Sequence, residues 1–142
     1  ANGGFSTGLV VADLDGDEID DILVTAPNDS HGAVRNGRAF LFRGGPALGD
    51  AWGAAAQVIL TGRVRDYEHF GVSAGAVDLD GDGALDICIG AYGGDASLPG
   101  AGSVHLFLAG PSLADTDADD DDLTLRGEGE LDRFGAAISS PE

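Results

Sequence analysis

Short apolar runs, separated by clusters of Gly, Asp and Pro, set the rhythm of this chain. Asp21-Ile22-Leu23-Val24-Thr25 and Asp86-Ile87-Cys88-Ile89-Gly90 are nearly continuous apolar runs. They predict strands buried on both faces. Two further runs, Arg38-Ala39-Phe40-Leu41-Phe42 and Ser103-Val104-His105-Leu106-Phe107-Leu108, predict the strands that follow them. Each of these ends near a Gly-Pro pair, Gly45-Pro46 or Gly110-Pro111. Before each pair of runs lies a stretch of Gly and small residues, Phe5 to Ala12 or Phe70 to Val77. Such a strand belongs where backbones approach closely. A fourth strand is predicted at Gln57-Val58-Ile59-Leu60 and at Leu123-Thr124-Leu125. No segment carries a helical period; the Ala-rich stretch from Ala47 to Gln57 is interrupted by Gly49 and Gly53.

The pattern occurs twice. Phe5 and Phe70, Asp13 and Asp78, Asp21 and Asp86, Gly37 and Gly102, Phe42 and Phe107, and Gly62 and Gly127 all stand 65 positions apart. A third start, Phe134-Gly135-Ala136-Ala137-Ile138, follows near the end of the sequence. The organisation read from this is 1–69, 70–133, and the beginning of a third repeat at 134–142. A four-stranded antiparallel unit repeated at a fixed period predicts an all-β chain of β-propeller blades: two complete blades and the first strand of a third. Such a unit needs neighbouring blades to cover its faces.

The densest chemistry lies between the first two strands of each copy. In Asp78-Leu79-Asp80-Gly81-Asp82-Gly83-Ala84-Leu85-Asp86, carboxylates occupy positions 1, 3, 5 and 9. Asp13, Asp15, Asp17 and Asp21 occupy the same positions in the first copy. Hard oxygen ligands at alternate positions of a tight loop suit Ca²⁺, with backbone carbonyls of Ala84 and Ile19 at position 7. Two Ca²⁺ sites are expected. Position 6 is Gly83 in the second loop, where the backbone turns sharply, but Glu18 in the first. The first loop is therefore expected to reach some other backbone geometry and to bind more weakly. An EF-hand is excluded: position 12 is Val24 or Ile89, inside a strand, where that motif needs a bidentate Glu. Asp and Gly also favour turns without any ion. However, four carboxylates within nine residues repel one another unless a cation sits among them. The run Asp115-Thr116-Asp117-Ala118-Asp119-Asp120-Asp121-Asp122 begins in the same way but lacks Gly at position 6 and Asp at position 9. It reads as a solvated acidic loop, with a weak extra cation site as the alternative.

Charge narrows the field further. A net charge of −18 excludes the basic face that nucleic-acid binding needs. It also predicts self-repulsion that bound cations relieve. The single cysteine, Cys88, has no internal partner and lies in an apolar run, so a buried inert thiol is expected. No apolar run approaches the ~20 residues of a membrane-spanning helix. The sequence begins at Ala1 without Met, which suggests a processed or excised chain.

Catalytic motifs are absent from the sequence. His31, His69 and His105 do not recur between the copies, and none belongs to a recognisable Ser/Asp triad motif. His105 aligns with Phe40 and is expected to pack within its strand or lie on its surface. There is no Lys for a phosphate-binding GxxxxGK[ST] loop. Trp52, Tyr67 and Tyr92 are candidates for an exposed sugar- or peptide-binding surface, with packing between blades as the alternative.

Phe70-Gly71, the loop from Asp78 to Asp86, and Ile89-Gly90-Ala91-Tyr92 together resemble the FG-GAP repeat of integrin α-subunit propellers and related bacterial proteins. The first copy keeps Phe5-Ser6 and Thr25-Ala26-Pro27 of that pattern. The resemblance implies Ca²⁺ in the hairpin between strands 1 and 2 of each blade, largely structural, and ligand binding on loops of the opposite face. It makes the expected function non-enzymatic and extracellular or cell-surface: adhesion, or binding of a protein or glycan ligand. The alternatives are a propeller module accompanying a hydrolase domain outside this chain, or a carbohydrate-binding module. Two blades cannot close a ring of ~4–8. Self-association, or the remainder of a longer propeller, is therefore expected to complete it.

Overall fold

A computed structural model describes residues 8–50, 53–93 and 98–139. Phe5 and Ser6, Trp52, part of the loop beyond Tyr92, and Ser140 lie outside the described residues. The structure is all-β. Its strands are β1 (Leu9–Ala12), β2 (Asp21–Ala26), β3 (Arg38–Phe42), β4 (Val58–Thr61), β5 (Ser73–Val77), β6 (Asp86–Ala91), β7 (Ser103–Phe107), β8 (Thr116–Asp117) and β9 (Leu123–Arg126). They form two sheets, in the orders β1-β2-β3-β4-β8 and β5-β6-β7-β9.

The sequence repeat is also a spatial register. Leu9 pairs with Val24, Val24 with Phe40, and Phe40 with Ile59. In the second sheet Ala74 pairs with Ile89, Ile89 with His105, and His105 with Thr124. Every partner is shifted by the same 65 positions. A strand's side chains alternate between faces, so this register fixes which residues enter the core. From the first sheet, Leu23, Leu41, Val58 and Leu60 point toward the second. They meet Ile87, Ile89 and Phe107, with Phe70 between the layers. β6 is buried along its whole length, which is why its sequence does not alternate.

The turn from the first sheet into the second is a tight joint. Phe70 is fully buried, and its ring meets Phe107 edge-on at a centroid distance of 6.1 Å. Its amide N–H donates to the Asn36 carbonyl (3.1 Å), and that of Gly62 to the Gly37 carbonyl (2.9 Å). A Cβ on Gly37 would stand 2.1 Å from the Phe70 carbonyl oxygen, so only glycine fits. The same joint recurs at Phe134. There the Phe134 amide reaches the Ala101 carbonyl (2.8 Å), and a Cβ on Gly102 would lie 2.2 Å from the Phe134 oxygen. Tyr67 and His69 adopt positive φ before Phe70, as Leu131 and Arg133 do before Phe134. This unfavourable backbone is thus a property of the joint. It also corrects one boundary: β5 begins at Ser73 rather than Phe70, because Gly71 (φ 94°) is part of the turn.

Two further departures have physical causes. Gly53–Ala55 forms a single 3₁₀ turn, cut short because the Gln57 amide already joins the Leu41 carbonyl (2.9 Å). More importantly, the acidic run is not simply a solvated loop. Thr116–Asp117 forms the parallel strand β8 against β4, Ala118 is fully buried, and Asp115 Oδ1 accepts the Ile59 amide (2.8 Å). β4 would otherwise be an open edge, and this run from the second repeat covers it.

Candidate functional site

The Asp loops cross from β1 to β2 and from β5 to β6, at one end of each sheet. In the first, Asp13 organises the turn. Its Oδ1 accepts the amides of Gly16 (2.7 Å) and Asp17 (3.2 Å), and its Oδ2 that of Glu18 (2.9 Å). In the second, Asp78 accepts the amides of Gly81 (2.7 Å) and Gly83 (3.2 Å). Asp17 and Asp82 hold the position-7 amides of Ile19 (2.9 Å) and Ala84 (2.8 Å). Glu18 has φ 69°, in the same left-handed region as Gly83 at 97°. The first loop therefore does not reach a different geometry. It forces a side-chain-bearing residue into the glycine conformation.

The carboxylates converge differently in the two loops. Asp13, Asp15 and Asp21 bring oxygens within 4.8 Å of one another, and so do Asp78, Asp80 and Asp82. Asp17 lies outside the first of these groups and Asp86 outside the second. The ninth-position residues have another duty. Asp21 accepts the amides of Leu14 (3.0 Å) and Gly44 (2.8 Å); Asp86 accepts those of Leu79 (2.7 Å) and Ala109 (3.0 Å). Each buried carboxylate thereby ties its loop to the end of the third strand of its sheet.

Asp15 shows that the first group suits a cation. Its Oδ1 is buried and has no partner. Burial raises its pKa, and the charges of Asp21 and Asp17 raise it further, against Arg43. A buried, unpartnered oxygen among like charges is costly without a positive ion. Asp13 is held below its ordinary range: burial pushes it up, but the Glu18, Gly16, Asp17 and Asp15 amides outweigh that. The sequence reading missed Arg43, whose Nη1 lies 3.4 Å from Asp15 Oδ2 and already supplies some positive charge. The second copy has Leu108 at that position, a difference visible in the repeat alignment.

A different polar cluster lies between the sheets. His105 is fully buried. Its Nε2 is 2.9 Å from Ser103 Oγ, and its Nδ1 is 2.9 Å from Asp121 Oδ2. Thr124 Oγ1 also donates to that oxygen (2.6 Å) and accepts from Arg63 Nη2 (3.2 Å). Burial, then Arg63, pushes the imidazole pKa below 6.5, against Asp121. No sequence motif announced this serine–histidine–aspartate arrangement, because Asp121 arrives from the acidic run. The cavity that Ser103 lines has a volume of about 40 Å³, too small to seat an acyl substrate beside the hydroxyl. The cluster is a hydrogen-bonded brace that ties β7 to β9, with Arg63 joining it from the β4–β5 joint.

The remaining candidates sit apart from the loops. Tyr67 is exposed, and the half-buried His69 ring stacks on Tyr92 at 4.8 Å. His31 is exposed, and its amide is held by Asn36 Oδ1 (2.8 Å). Cys88 is buried and unpaired, its thiol pKa raised by burial and by Asp86. No helix among the described residues is long and apolar enough to cross a membrane.

Comparison with known proteins agrees with this architecture. Integrin alpha-5 of Xenopus laevis is 35% identical over 119 residues, which cover 79% of this chain and 11% of that protein. Integrin alpha-PS2 of Drosophila melanogaster is 33% identical over 119 residues, 75% of this chain and 8% of that protein. Human phosphatidylinositol-glycan-specific phospholipase D is 28% identical over 142 residues, 96% of this chain and 16% of that protein. The chain thus spans only a small part of each of these relatives. Residues 5–42 and 70–107, each containing one Asp loop, match the FG-GAP repeat. The chain belongs to the FG-GAP repeat family and is an integrin-α-like β-propeller segment.

Proposed function

We propose that this segment is a Ca²⁺-stabilised, non-enzymatic part of an extracellular or cell-surface propeller used in adhesion or ligand binding. One Ca²⁺ binds in each Asp loop. The observation that carries the reading is Asp15: a buried, unpartnered carboxylate oxygen within a converging group of three aspartates. Asp13, Asp15 and Asp21 would hold the first ion, and Asp78, Asp80 and Asp82 the second. The ion supplies the positive charge that lets these carboxylates remain together. The integrin relatives support the extracellular assignment.

Further blades, from a longer polypeptide or from other copies, cover the outer sheet faces and complete the ring. Leu123 and Leu125, 53% and 44% exposed on the outer face of the second sheet, support this. The ligand is a protein or glycan.

Thermal melting with Ca²⁺ and with excess chelator tests the calcium reading. An ion present at 100 times its Kd stabilises by about 2.7 kcal/mol per site. That corresponds to a loss of roughly 5–10 °C per site on chelation. An unchanged melting temperature overturns the reading. Asp80→Asn is expected to remove the second site's share alone.

A further inference from the structure

The cavity beside Ser103 lies at the opposite end of the sheets from the Asp loops. Its lining includes Arg63 and Arg65 from the β4–β5 joint, Arg126 at the end of β9, and Glu68, Ser103 and Gly102. The chain has seven cationic side chains against 25 acidic ones, and three of the seven meet here. The fold does not demand this. The matching stretch before Phe134, Glu128-Gly129-Glu130-Leu131-Asp132-Arg133, has its one arginine at the position of His69 and acidic or small residues where Arg63 and Arg65 stand. Arg63 is held in place by Asp119 (2.9 Å) and Thr124, and is itself buried.

Glu68 is the unusual member. It is only 3% exposed, its Oε1 is 3.8 Å from His105 Nε2, and its Oε2 has no partner. At about 40 Å³ the cavity holds roughly three water-sized positions. That is the size of one oxyanion group, not of a whole ligand. Guanidinium groups are the side chains best matched to such a group. In its protonated form Glu68 adds an O–H donor and no opposing charge.

We propose that this cavity binds the oxyanion group, carboxylate or sulfate, of a ligand docking at this end of the sheets. The proposal rests on the ligand-binding reading above and supplies that ligand's chemistry. It does not depend on how the Asp loops use Ca²⁺.

The charged and titratable groups around Glu68 are Arg63, Arg65, Arg126, His105 and Asp119. Burial pushes Glu68 up to about 7, against Arg63 and Arg65, while His105 is held below 6.5. Glu68 therefore changes charge between pH 6 and 8, and sulfate does not. The protonated form is the competent one: its population falls about tenfold from pH 6 to pH 8, and apparent affinity falls with it.

The test is an NMR amide titration of the full chain at fixed Ca²⁺, with sodium sulfate in one arm and sodium acetate in another. Chloride at equal ionic strength is the reference. Saturable shifts at Arg63, Ser103 and Arg126 are expected, about tenfold tighter at pH 6 than at pH 8 for sulfate. The tighter arm identifies the oxyanion as sulfate or carboxylate. Arg126→Gln should weaken binding at least fivefold. Glu68→Gln should bind at pH 8 as the parent does at pH 6, with no pH dependence. Response no greater than to chloride, or unchanged binding by Arg126→Gln, overturns the proposal. If Arg126→Gln does not fold, Glu68→Gln decides: a retained pH slope overturns it. A failed chelator experiment refutes the calcium reading and leaves this result standing.

Discussion

Phe70→Ala and Phe134→Ala form a matched pair, because the same joint is built twice. Phe70 is 0% exposed and touches both Phe107 and His105, at centroid distances of 6.1 and 5.6 Å. Truncating a fully buried Phe removes its transfer energy and leaves a cavity, at a cost of about 3–5 kcal/mol. Phe134 makes the equivalent backbone bonds but is 40% exposed. Its truncation leaves an open dent and forfeits only part of the transfer energy, about 1–2 kcal/mol. The expected difference is therefore about 2–3 kcal/mol. Urea unfolding in saturating Ca²⁺, followed by far-UV circular dichroism, measures both. Phe70→Leu, expected to cost under about 1.5 kcal/mol, guards against a variant too unstable to fit. Equal losses at the two positions would refute the reasoning. They would mean that Phe134 is covered as fully as Phe70 in solution, by self-association or by a different packing of the joint.

Three other predictions follow from the loops and the cavity. Arg43→Leu, which copies Leu108 of the second repeat, removes the cation beside Asp15 and should tighten Ca²⁺ at the first loop about two- to fivefold in calorimetry. Glu18→Gly relieves a left-handed residue costing about 1–2 kcal/mol, partly offset by unfolded-state entropy. A net gain of about 0.5–1 kcal/mol is expected in the same urea assay, and a loss would contradict the backbone assignment. Glu68, with a folded pKa of about 7 against an ordinary 4.5, retains in the folded state a proton that the unfolded chain releases. Its contribution is complete below about 4.5 and is lost as pH rises through 7, a loss of about 3 kcal/mol. His105 acts oppositely, weakening stability as pH falls below 6.5. The difference between Glu68→Gln and the parent isolates Glu68 and should grow in the variant's favour from pH 5 to pH 8.

The sequence alone determined the all-β architecture, because near-continuous apolar runs bounded by Gly and Asp leave no helical period to follow. It also determined the strand pairing: a gap-free 65-residue repeat became an identical hydrogen-bond register in both sheets. The Asp loops were legible for the same local reason, since their turns are held by side chains two to five residues away.

What depends on distant residues was decided only by tertiary structure. Glu18 takes the glycine conformation because Asp13 and the flanking strands constrain that turn, which propensity alone does not reveal. Asp21 and Asp86 reach across to Gly44 and Ala109, a use of position 9 that the loop sequence does not show. The acidic run looked solvated by composition, yet its backbone completes the edge of β4 and its Asp121 reaches buried His105. Arg63, Arg65, Glu68 and Arg126 become neighbours only when the joint folds back over the start of β7. Periodicity reports which face a side chain takes, but not which distant charge it will meet there.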